Sequence, residues 1–254
     1  MKSYTLYIYG IIILALCSCH HVGKNDCQIE LQLQEPASLI YISECLPEGN
    51  MVIDSTEGKK GVYTFTLHNV KPSIYRIHSA DTDTATGVHT NNGFQVLVQA
   101  GNKIQLRADN LSNPHLCRIS GSPETEALLE LDNHLYDLYL YTDSLAQIFE
   151  EHKYLDDFDS IRTELNTQVN NRYAMHQAYL KQFIAQHSTS LVSLIAFYQA
   201  CGRHRFFSTE TDHDLLVEIY NHLSQQYPEN KHVIALQNRL ELFDLMVNKD
   251  SLPE

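Results

Sequence analysis

Ile119-Ser120-Gly121-Ser122-Pro123 is where the hydrophobic period of this chain changes. Before it, apolar residues recur at every second position in short runs, the signature of strands; after it they recur at every third or fourth, the signature of helices. Ser122 is a good N-cap and Pro123 suits the first helical position, where a missing N–H costs nothing. Gly121 is therefore the natural boundary between a β-rich domain over residues 27–121 and an all-helical domain over 122–254.

Upstream, the clearest alternating runs are Leu39-Ile40-Tyr41-Ile42, Val62 to Leu67, Ile74-Tyr75-Arg76-Ile77, Phe94 to Val98 and Ile104-Gln105-Leu106-Arg107. Tyr63, Phe65 and Leu67 share one face, as do Ile104 and Leu106. Turn residues separate the runs: Pro47-Glu48-Gly49-Asn50, Glu57 to Gly61, Lys71-Pro72 and Gly101-Asn102. About eight such strands predict an antiparallel β-sandwich or partly open barrel.

Downstream, Leu128, Leu131, Leu135, Leu138, Thr142, Leu145 and Phe149 form one stripe, and Phe158, Ile161, Leu165, Val169, Tyr173, His176, Leu180 and Phe183 a second. Shorter helices are expected at Leu191 to Tyr198, Leu215 to Leu223 and Val233 to Val247. Each has one apolar face, which predicts an antiparallel helical bundle. The fold class is thus α+β, with the strands first and the helices second.

The start of the chain carries a different signal. Lys2 leads into Ile11-Ile12-Ile13-Leu14-Ala15-Leu16, an apolar run too short to span a bilayer and of the right length for the core of a signal peptide. In Leu16-Cys17-Ser18-Cys19 only Cys19 has a small residue before it. Residues 1–18 are therefore expected to be a signal peptide, Cys19 the lipidation site, and 19–26 a lipidated tether. The competing readings are a plain secretory signal or an anchor that stays. More than one acyl chain on Cys19 would hold the protein stably on a membrane face; the expected location is the outer membrane of a bacterial envelope, facing the periplasm or the cell surface.

Hydrophobic content of 43% and charged content of 19% indicate a globular chain. The net charge of −13 is unevenly placed. Residues 20–121 carry 8 Lys+Arg against 10 Asp+Glu, and 122–254 carry 9 against 21. So acidic a second half repels phosphate backbones, which argues against nucleic acid as a partner.

No motif assembles a catalytic, cofactor-binding or metal-binding set, and a non-enzymatic role is expected. None of the 14 histidines sits in a His-Glu-x-x-His pair. His176 lies in an apolar helical stripe and reads as a hydrogen-bonded core histidine. Neighbours in Asp212-His213-Asp214 point about 100° apart on a helix and suit its N-terminus better than a metal. Asp156-Asp157-Phe158-Asp159 and Asp81 to Gly87 break the EF-hand ligand series, and His20-His21 falls in the tether. In Cys201-Gly202-Arg203-His204 a thiol sits beside cations, but Gly202 reads as a helix stop, with Arg203 and Arg205 complementing the helix dipole. Cys27, Cys45, Cys117 and Cys201 permit disulfides in an exported protein without specifying a pairing; a buried small hydrophobe is the other reading of Cys117. Tyr136, Tyr139 and Tyr141 are too many for one buried helix face, so some are expected at the surface.

The order of motifs resembles a known family. The leader, then Gly61 to Ile77 with Lys71-Pro72, then Phe94 to Leu106 with Gly101-Asn102, then Ile119-Ser120-Gly121-Ser122 and Phe183-Ile184-Ala185-Gln186-His187-Ser188, is similar to the N-terminal half of exported thioredoxin-like lipoproteins of Bacteroidetes. The resemblance implies a β-domain and a helical segment preceding a thiol-disulfide oxidoreductase domain. That domain works through Trp-Cys-x-x-Cys, and this chain has no Trp and no Cys-x-x-Cys. With few residues after Val247, the thioredoxin domain is expected to be missing, and none of its catalytic residues carries over.

These features together predict a non-catalytic envelope lipoprotein that binds or positions a protein or peptide partner. Two alternatives stand beside it: an accessory acting in trans with a separate thiol-disulfide oxidoreductase, and a glycan- or peptide-binding lipoprotein using exposed tyrosines.

Overall fold

The computed structural model describes residues 23–79, 93–156 and 158–250. The signal peptide, Cys19, His20-His21, the Asp81 to Gly87 loop and Asp157 lie outside the described residues.

Eight strands precede the first long helix: β1 (Cys27–Leu33), β2 (Ile40–Leu46), β3 (Gly49–Thr56), β4 (Val62–Leu67), β5 (Ser73–Ser79), β6 (Phe94–Val98), β7 (Lys103–Ala108) and β8 (Arg118–Ser120). They form two four-stranded sheets, ordered β4-β1-β7-β8 and β3-β2-β5-β6, which are not closed into a barrel. Alternation along each strand supplies the two inner faces. Ile29, Leu31, Tyr63, Phe65, Ile104 and Leu106 of the first sheet meet Ile42, Tyr75, Ile77, Phe94 and Val96 of the second in one buried core. Each such side chain contributes roughly 1.5–3 kcal/mol by leaving water.

One pairing departs from the antiparallel expectation. β1 runs antiparallel to β4 but parallel to β7, with Ile29 opposite Ile104 and Leu31 opposite Leu106. Alternation reports which face is buried and is blind to the direction of the neighbour, so this pair leaves no mark in the sequence.

The helices are α1 (Pro123–His152), α2 (Phe158–Gln186), α3 (Leu191–Phe197), α4 (His213–Gln226) and α5 (Lys231–Asp250), packed as a bundle. Ser122 caps α1 as the sequence predicts, its side chain accepting from Thr125 N at 3.2 Å. Gly121 has φ +89° and backs against the Lys103 carbonyl, so any side chain there would collide with backbone. The expectation of an all-helical second half needs a correction. Two short strands, β9 (Ala200–Cys201) and β10 (His204–Arg205), form a hairpin between α3 and α4.

The two halves share structure across the boundary at Gly121. Ile74 of β5 and Leu97 of β6 point away from the sandwich and join the bundle core of Leu128, Leu131, Leu180, Phe183 and Phe197. β6 is an edge strand, and Thr125 covers its edge: Thr125 Oγ1 accepts from Leu97 N at 3.1 Å and donates to Leu97 O at 3.1 Å. At the other end of the contact, Asn230 Nδ2 donates to Pro72 O at 2.6 Å and Lys71 pairs with Glu229 at 2.8 Å.

Candidate functional site

Between these two points of attachment the sheet and the bundle leave a cleft of about 620 Å³. The second sheet contributes Cys45, Ile74 and Gln95; α1, α3 and α5 contribute Asp132, Leu135, Leu194, Ile195, His232, Leu236 and Arg239, with Tyr198 and Gln199 following α3. Its walls are mostly apolar with a few polar groups, the usual lining of a ligand pocket.

The polar groups of the cleft are held in place. His232 Nε2 donates to Cys45 O at 2.8 Å, tying α5 to β2. Asp132 lines the cleft as an exposed residue, and desolvation by the groups around it pushes its carboxyl up to about 6. Arg239 donates from Nε to the buried Thr209 Oγ1 at 3.0 Å, and its guanidinium lies 5.3 Å from the Tyr198 ring centroid. Burial raises the Tyr198 hydroxyl, and Arg239 partly offsets this.

Gln199 joins the cleft to a histidine pair, buried His176 and half-buried His134. Gln199 Nε2 donates to Leu131 O at 3.4 Å, which turns Oε1 toward His176 Nε2 at 2.8 Å. Nε2 of His176 must then carry the proton, leaving Nδ1 to accept from His134 Nδ1 at 2.8 Å. Desolvation pulls His176 down to about 4, with the Gln199 hydrogen bond opposing and His134 and Arg172 assisting. His134 is lowered mainly by burial and stacks on Tyr179 with centroids 3.6 Å apart. His176 is thus the hydrogen-bonded core histidine that its stripe predicts.

The other sequence candidates disperse. Cys27, Cys45, Cys117 and Cys201 are free thiols. Burial pushes Cys27 up to about 12 and Cys117 up to about 11, the reverse of thiolate activation. His213 turns away from Asp212 and Asp214 toward Asp244, 3.3 Å from it, and stacks on Phe243. Asp212 Oδ2 accepts from Ser208 N and Thr211 Oγ1, and Asp214 lies in the first turn of α4. Asp159 pairs with Arg162 at 3.1 Å. Tyr139 is exposed, Tyr136 stacks on His115, and Tyr141 donates to Gln168 Oε1. Among the described residues no three His, Cys, Asp or Glu side chains are grouped to hold a metal ion. Nor is any helix among them long and apolar enough to cross a membrane.

Gly202 is not a helix stop. α3 ends at Phe197, and Gly202, with φ +59°, is the first central residue of the two-residue turn joining β9 to β10. A Gly-x pair between short extended runs is the local signal for such a hairpin. Reading it so would have placed Arg203 and Arg205 on a hairpin rather than at a helix end. Asp132, Gln199, His232 and Arg239 had no comparable local signal. No protein-family model matches this chain, and no curated protein matches it.

Proposed function

We propose that the protein is a non-catalytic envelope lipoprotein, anchored through Cys19, that binds or positions a protein or peptide partner in the cleft between its β-sheet and its helical bundle. The observation carrying this reading is the cleft itself. It is concave and apolar-walled, and Gln199, His232 and Arg239 are oriented by hydrogen bonds to the protein, as preformed binding sites require.

The aromatic and amide groups of the cleft suit a peptide, whose backbone offers donors and acceptors along an apolar chain.

Photo-crosslinking tests the reading. Benzoylphenylalanine replaces Leu135 or Ile195 in the cleft, or Met51, which is exposed on β3 outside it. In intact cells the cleft positions should yield a discrete adduct and the Met51 position should not. Equal labelling from all three, or none from the cleft, would remove the support for this site.

A further inference from the structure

We propose that one end of the cleft is an oxyanion pocket, in which Arg203, Arg205 and Arg239 bind a carboxylate or phosphate group attached to an apolar body. The proposal rests on the cleft being a binding site and specifies the chemistry of its ligand.

Tyr198, Gln199, Ala200 and Arg239 line both the cleft and an adjoining cavity of about 650 Å³. Arg203 and Arg205 enter that cavity from the β9–β10 hairpin, and Phe197 and Phe207, both buried, give it apolar walls. The helical half has only five arginines, and three of them line this one space. That half carries 9 cationic against 21 acidic side chains. Yet among the described residues none of the three makes an ion pair with a carboxylate.

The frame beneath them is stiff. His204 stacks on Tyr173 with centroids 4.1 Å apart, and Gln177 Nε2 donates to Phe206 O at 2.6 Å, fixing the hairpin to α2. Thr209 holds Arg239 through Nε. The one carboxylate lining the cavity is Glu210. Its own backbone N–H and Ser208 hold it below the usual carboxylate range, with smaller contributions from Arg239 and Arg205. Positive charge therefore exceeds negative in the pocket, and guanidinium forks match the paired oxygens of carboxylate and phosphate. The aromatic walls favour an anion carried on an apolar group over a bare ion.

The test uses the full chain in non-ionic detergent at low salt, titrated calorimetrically with N-acetylphenylalanine, its uncharged amide and inorganic phosphate. The carboxylate should bind, the amide at least tenfold more weakly, and the exposed double variant Arg203→Gln/Arg205→Gln should lose at least tenfold for the carboxylate. Phosphate binding that falls in the same variant would mark the oxyanion as sufficient; phosphate binding weaker than the carboxylate would mark the apolar body as part of recognition. Either result supports the pocket. Equal binding of carboxylate and amide, undiminished binding by the double variant, or no binding of any probe overturns it. Crosslinking from Leu135 in the otherwise wild-type chain separates the two proposals: an adduct that forms while no anion probe binds leaves the cleft and removes the oxyanion pocket.

Discussion

Thr125, in the first turn of α1, engages both backbone groups of Leu97 on the edge strand β6, accepting from its N–H and donating to its carbonyl. Both residues are buried, so water cannot substitute. An edge strand left bare inside a protein would strand these groups at roughly 1–3 kcal/mol each. The helix covers the edge with a side chain in place of another strand, one of the contacts that join the bundle to the sandwich.

Thr125→Val keeps the shape and removes the hydroxyl. The expected loss is about 2 kcal/mol, seen as a fall in Tm of about 4–8 °C by calorimetry. Thr125→Ser should retain most of the stability. A Tm unchanged in Thr125→Val would show that the junction does not depend on this pairing.

The start of α1 was legible because Ser122-Pro123 is a local chemical signal for a helix start and the apolar spacing changes beside it. The strands with clean alternation, such as Tyr63-x-Phe65-x-Leu67, were legible for the same reason. The parallel β1–β7 pair was not, since strand direction depends on the route of the chain through space. The cleft was the least legible part. Asp132, Tyr198, His232 and Arg239 come from separate elements, and only packing brings them together.

Lipidation at Cys19 is testable apart from the fold. Only a thiol accepts the diacylglyceryl group, so Cys19→Ala should abolish incorporation of radiolabelled palmitate and release the protein from the membrane fraction. Label entering the variant as it enters the wild type would place the modification elsewhere.

Asp132 should make the protein less stable as pH rises. Its carboxyl is raised to about 6 in the folded chain against an ordinary value of 3.8. Between these values the folded state holds more protons, so stability falls as pH increases through 6. Because the group is reachable from solvent, the effect is on the order of 1 kcal/mol after screening. Asp132→Asn should therefore raise Tm by about 2–4 °C at pH 7.5 and leave it nearly unchanged at pH 4. An equal shift at both pH values would point to a packing effect instead.

His176 has the opposite sign. Its folded value near 4 lies below the ordinary 6.5, so the unfolded chain binds more protons between the two. The stability that comes from keeping it neutral is fully present above 6.5 and is lost as pH falls toward 4, up to about 3 kcal/mol. The hydrogen-bond chain also specifies where its proton sits. Because Gln199 presents Oε1, Nε2 is protonated and Nδ1 accepts from His134. Protonating Nδ1 would set two N–H groups against each other, which reinforces the low value. Long-range proton–nitrogen spectra of the imidazoles across pH 4 to 8 should show the Nε2–H tautomer of His176 persisting below pH 5.5. A His176 signal that titrates at the ordinary 6.5, or an Nδ1–H tautomer at pH 7.5, would break the chain of bonds from Leu131 to His134.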